Sequence, residues 1–138
     1  MLETLTFPFV IWNDYVPDQM ARPLVPVTIR YAENEIQTLA LLDSDADINL
    51  MPFQLGLDLG FDWDTGGDYT GLEGLGGGLA AKKSVADLYL GSWPSIRQIF
   101  AWARNDDVPV ILGQWNFFEM VDVCISRTQG LMTFELPK

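Results

Sequence analysis

The sequence contains no histidine. That absence removes Ser-His and Cys-His catalysis, histidine-ligated zinc and histidine acid–base chemistry together. There is one cysteine, Cys124, so these 138 residues hold no intrachain disulfide. It lies in the apolar run FFEMVDVCI, where a buried, inert thiol is expected. Bases are few: eight lysines and arginines face nineteen acids, for a formal charge of −11. That balance argues against nucleic acid or an anionic membrane surface as a partner. No segment approaches the ~20 apolar residues of a membrane span. The N-terminal stretch MLETLTFPFVIWNDYVP has an acid at Glu3, no base before Arg22 and no long apolar run. It does not read as a signal peptide, so the expected location is cytoplasmic. Chemistry is left to carboxylates, hydroxyls, backbone groups and the few bases.

What is present suits one globular domain over residues 1–138, since apolar residues make up 49% and charged residues 20%. Strand signals are short and frequent: LTFPFVIW (5–12), LVPVTIRY (24–31), EIQTLALLD (35–43), SVADLYLGSW (84–93), IRQIFAWAR (96–104), VPVILG (108–113) and LMTFELP (131–137). A turn is expected at Glu33-Asn34-Glu35. Prolines 8, 26 and 109 point to edge strands or strand starts. QWNFFEMVD (114–122) has the length of a two-turn helix, and MPFQLGLDLG (51–60) is ambiguous because its glycines are closely spaced. The fold class is all-β, a sandwich or barrel with one short C-terminal helix. Seven of the twelve glycines fall between 66 and 78, in GGDYTGLEGLGGG, which reads either as a surface loop or as a mobile lid.

The most informative stretch is TLALLDSDADINLMP (38–52). An apolar run ends in Asp43, Asp45 and Asp47 at alternate positions. Carboxylates at the end of a buried strand need a purpose, because unpaired burial is costly. An EF-hand loop would need glycine and glutamate where Ile48 and Gln54 stand, and flanking helices. A haloacid-dehalogenase-like D-x-D would continue with Gly-Thr, where Ala46-Asp47 follow, in a chain richer in helices. The glycine-rich segment fails as a phosphate loop at Lys82 and as a dinucleotide fingerprint at Leu79.

LLDSDADINLMP resembles the retropepsin-like aspartic proteases, whose pattern is an apolar pair, D-[ST]-G-A, then apolar residues. Asp43, Ser44, Ala46 and Asp47 match it. The family's second mark is an apolar pair, a glycine and a short helix before the C-terminal strand. Ile111, Leu112, Gly113 and the helical segment after them supply it. TGLEGLGGGLAAKKSVADLYLG sits where the family has its flap hairpin. The resemblance covers roughly residues 24–136 and departs at one point: Asp45 stands where the family has glycine. Asp64-Thr65-Gly66 also spells D-T-G, but GFDW before it is not an apolar strand, so it reads as a turn.

The resemblance implies an aspartic endopeptidase acting as a homodimer on a peptide or protein substrate, without metal or cofactor. Asp43 would be the catalytic carboxylate, and Ser44 would hydrogen-bond across the interface. Asp45, Ala46, Asp47, Ile111 and the flap residues Leu75, Gly76, Gly77 and Gly78 would contact substrate. The chain end TFELPK would help pair the subunits. One carboxylate cannot suffice, since the family's reaction needs two carboxyls about 3 Å apart sharing a proton. With one suitable motif in the chain, the second must come from another copy. The alternative is a catalytically silent retropepsin-fold module for dimerisation or peptide binding, which the Asp45 side chain and the acidic surface favour.

Overall fold

A computed structural model of the chain describes residues 2–11, 21–65 and 80–137. Its centre is a closed barrel. Strands β4 (Leu24–Tyr31) and β5 (Asn34–Leu42) form a hairpin from the two most regular apolar runs. Leu24, Val25, Val27 and Ile29 turn inward on β4, and Ala40 and Leu42 on β5. The turn between them is Ala32-Glu33, with Ala32 at φ +54°, and β5 already begins at Asn34. It lies earlier than the expected Glu33-Asn34-Glu35 because the strands stay paired to Tyr31↔Asn34. Pro26 is tolerated because β7 (Ala81–Tyr89) pairs with β4 only at Thr28, Ile29 and Arg30.

The remaining barrel strands are β6 (Asn49–Met51), β8 (Ile96–Ala103) and β9 (Val110–Leu112), in the order β4-β5-β9-β6-β8-β7. Two parallel contacts matter for the site. β5 runs parallel to β9, so Leu42 lies opposite Leu112. β6 is wedged between β9 and β8 and runs parallel to β8. The segments following Leu42 and Leu112 therefore leave the barrel side by side.

A three-stranded antiparallel sheet of β1 (Leu5–Pro8), β11 (Leu131–Glu135) and β10 (Asp122–Ser126) packs on the barrel. Leu5, Met132 and Phe134 join the barrel residues in one core. β11 is the central strand, with its backbone paired on both sides. The open edges of this sheet are β1 and β10, and Leu131–Glu135, within the chain end expected to help pair subunits, is already paired on both sides within the chain. The small pair β2 (Val10–Ile11) and β3 (Ala21–Arg22) forms a two-stranded sheet of its own.

Two helices complete the chain. α1 (Phe53–Leu59) forms in the stretch whose glycines left its sequence ambiguous. Those glycines have separate duties. A Cβ on Gly56 would lie 2.0 Å from Trp102 Nε1, and Gly60 ends the helix at φ +94°. Trp102 in turn stacks on Phe53 and donates its indole N–H to the Phe53 carbonyl at 2.9 Å. α2 covers only Phe117–Met120, shorter than the expected 114–122. Gln114 and Trp115 are tied to the segment after β5, and Asp122 already pairs with Glu135.

Cys124 is exposed, contrary to the burial expected from its apolar neighbours. It lies on the edge strand β10, where the side chains alternate and Val123 takes the core-facing position. No helix among the described residues is long and apolar enough to cross a membrane.

Candidate active site

The turn after β5 is built by a backbone ladder. The Asp43 N–H donates to the Leu112 carbonyl at 3.1 Å, and the Ala46 N–H returns to the Asp43 carbonyl at 3.1 Å. Beyond the turn, Gln114 N–H donates to the Ala46 carbonyl and Trp115 N–H to the Asp47 carbonyl, both at 2.9 Å. Asn49 N–H then donates to the Trp115 carbonyl at 3.0 Å. Residues 43–49 and 112–115 thus hold each other, which explains why the two sequence marks must occur together.

Gly113 lies where the two segments touch. A Cβ there would sit 2.5 Å from the Ile48 carbonyl oxygen and 2.7 Å from that of Ala46. Both are backbone atoms, so no side-chain rotation can relieve the contact.

Within the turn, Asp43 is half-buried and its Oδ1 accepts the Asp45 N–H at 3.0 Å. This bond fixes the carboxyl over its own turn. Ser44, Asp45 and Asp47 are exposed, and Ala46 is buried beneath them. The Ser44 carbonyl accepts Gln114 Nε2 at 2.8 Å, and its hydroxyl has no partner among the described residues. Asp45 does not have positive φ, since Ala32 alone has it among the described non-glycine residues. The turn therefore closes around an aspartate without left-handed strain.

Ile111 lies on β9 next to the turn. With Ile48 and Val108 it packs against Leu50, Ala81, Ala101 and Ala103, a small apolar group separate from the main core. Leu75, Gly76, Gly77 and Gly78 lie outside the described residues. No cluster of three or more metal-ligating side chains occurs among the described residues.

Asp64 and Thr65 are in an exposed turn after α1. There Asp62 Oδ1 accepts the Asp64 N–H at 3.0 Å, and the Asp62 carbonyl accepts the Thr65 hydroxyl. Asp64 and Thr65 thus belong to a turn held by Asp62 after α1, and Gly66 lies outside the described residues.

Sequence reasoning missed the polar supports of the site. Asn49 and Gln98 are fully buried and bonded to each other at 2.9 Å. Asn116 Oδ1 accepts the Ile99 N–H at 3.0 Å. Asp106 Oδ1 accepts the Gln54 N–H at 2.7 Å, capping α1 from a distant loop. A signal did exist for Gln98: it falls on the inward phase of Ile96, Phe100 and Trp102.

No protein-family model and no curated protein matches the chain. Solved structures do. A retropepsin-like aspartic protease from Rickettsia conorii superposes at a TM-score of 0.56 and 14% identity, over 96% of this chain and 91% of that one. An EIAV protease complexed with an inhibitor superposes at a TM-score of 0.48 and 25% identity, over 67% of this chain and 82% of that one. The first likeness shows that the chain has a retropepsin-like fold.

Proposed function

We propose, from the premise of a retropepsin-like fold, that the chain is an aspartic endopeptidase whose two catalytic carboxyls are the Asp43 side chains of two copies. The observation that carries this reading is the Asp43 turn. A half-buried carboxyl stands at the end of a barrel strand, its backbone tied to Leu112 and its Oδ1 to the Asp45 N–H. One chain supplies one such carboxyl, and a twofold axis supplies the second. Residues 1–138 would form one domain of this dimer.

In the reaction, one Asp43 is ionised and the other protonated. The carboxylate takes a proton from water as its oxygen attacks the peptide carbonyl. The carboxylic acid gives its proton to the carbonyl oxygen. The tetrahedral intermediate then collapses: the proton held by the first carboxyl passes to the departing amine, and the second carboxylate takes back a proton from one hydroxyl as the C–N bond breaks. Ser44, with its hydroxyl directed to no described partner, would bond across the axis. Asp45, Ala46 and Asp47 would line the substrate backbone, and Ile111 would meet a substrate side chain. Leu75, Gly76, Gly77 and Gly78 would cover the peptide. The chemistry calls for neither metal nor cofactor.

The second reading, a silent dimerisation or peptide-binding module, is favoured by Asp45. Its exposed side chain adds bulk and like charge where two copies would meet. Both readings meet in one experiment. Asp45→Gly is expected to raise casein cleavage about tenfold and to tighten the dimer, with the larger gain near neutral pH where carboxylates repel most. No backbone strain is relieved at Asp45, so any rise in thermal stability should come from the tighter dimer and grow with protein concentration. Cleavage assays from acid to neutral pH and sedimentation of both proteins decide it. Unchanged cleavage and dimer affinity would remove Asp45 from the dyad. A dimer that tightens without any cleavage would favour the silent module.

A further inference from the structure

We infer that Asn49 is the positioning residue for Asp43, acting through the one peptide group that joins Leu112 to Gly113; this rests on the proposed role of Asp43. The carbonyl of that peptide accepts the Asp43 N–H at 3.1 Å, and its N–H donates to Asn49 Oδ1 at 2.8 Å. A peptide group is planar, so fixing its N–H fixes the direction of its carbonyl. Asn49 therefore orients the group from which the Asp43 backbone hangs.

The Asn49 amide cannot turn over. Its Nδ2 donates to Gln98 Oε1 at 2.9 Å and to the Ile99 carbonyl at 3.0 Å. Two acceptors on one side and a donor on the other leave a single orientation that satisfies all three. Asn49 and Gln98 are both 0% exposed, so water cannot replace either bond partner. Losing Oδ1 would leave the Gly113 N–H without its acceptor beside the turn. β6 brings Asn49 to this point because it lies between β9, which carries Leu112, and β8, which carries Gln98.

A merely structural role and a positioning role give different results in paired variants. Asn49→Leu and Gln98→Leu each remove a fully buried amide, but Asn49→Leu alone breaks the bond to the Leu112–Gly113 peptide. In Asn49→Leu the Asp43 amide is expected to exchange with solvent at least about tenfold faster, beyond any change in the β4–β5 amides. Its kcat for casein is expected to fall about 10²-fold, the scale of a small misplacement of a catalytic group. KM should stay within about threefold, because substrate contacts are untouched. Gln98→Leu leaves the Asn49 Nδ2 donor on the Ile99 carbonyl at 3.0 Å and Asn116 Oδ1 at 3.4 Å, so Oδ1 stays on the Gly113 N–H. Its effects on Asp43 exchange and kcat should be at least about fivefold smaller than those of Asn49→Leu. Equal effects of the two variants on Asp43 exchange would overturn the inference.

If Asn49→Leu does not fold, the wild-type protein still decides. The Gly113 amide should be protected like those of β9, and exchange as fast as at the exposed Ser44 amide would overturn the inference. If the wild-type chain cleaves no casein, the protease reading fails, while the exchange comparison still decides what holds Asp43.

Discussion

Asp43→Asn is expected to lower casein cleavage by about 10³-fold or more, within the range for losing a general acid–base group. The substitution replaces one oxygen of the carboxyl by NH₂ and keeps the other. The bond from the Asp45 N–H to Oδ1 and the bond from the Asp43 N–H to Leu112 both remain available. The turn should therefore keep its shape, and thermal stability should stay close to wild type. What is lost is the ability to take a proton from water. Asp64→Asn should leave cleavage within about twofold, because Asp64 lies in a turn closed by Asp62, after α1. Loss of cleavage in Asp64→Asn with retention in Asp43→Asn would move the active site to Asp64-Thr65-Gly66 and refute the assignment.

Gly113→Ala should lower stability as well as cleavage. The added Cβ meets the Ile48 and Ala46 carbonyl oxygens at 2.5 and 2.7 Å. Relief requires the ladder of residues 112–115 to move away from residues 43–49. That motion strains the Ala46–Gln114 and Asp47–Trp115 bonds and shifts the carbonyl that holds Asp43. A loss of about 2–3 kcal/mol is expected, at the upper end for overpacking. Thermal denaturation should show it as a fall of about 5–10 °C in Tm. Cleavage should fall as well, because the strained contact and the carboxyl share one peptide group. A Tm within a degree or so of wild type would mean that the two segments do not touch at Gly113.

The barrel was legible where strands alternate without interruption. LVPVTIRY is β4 residue for residue, and its partner β5 differs from the expected span by one residue at each end. The meeting of the candidate site's two segments was legible for a related reason. An apolar strand that breaks into Asp43-Ser44-Asp45 has few structural explanations, and Gly113 after an apolar pair completes the pairing that the turn needs.

Three things escaped a linear reading. The closely spaced glycines of 51–60 leave that stretch ambiguous in the sequence, but Gly56 leaves room for the Trp102 indole, a residue brought there by β8. The apolar neighbours of Cys124 point to the interior, but on an edge strand every second side chain faces away from the core. Asn49, a lone amide in DINLMP, gives no sign of its partners in the sequence. They lie 49 residues away at Gln98 and 64 away at Gly113, so only the barrel's closure brings them together. Among the described residues no buried side-chain nitrogen or oxygen lacks a hydrogen bond, so these amides are built into the fold rather than stranded in it.

The central claim is that two Asp43 side chains act together, one from each copy. Subunit mixing tests it most directly. Wild-type chain and Asp43→Asn chain are combined in equal amounts, allowed to exchange subunits, and assayed on casein against wild type at the same total concentration. If the dyad spans the dimer, only pairs of wild-type chains cleave, and activity falls to about one quarter. Activity at about one half would mean that each chain works with its own groups, and would contradict the shared dyad.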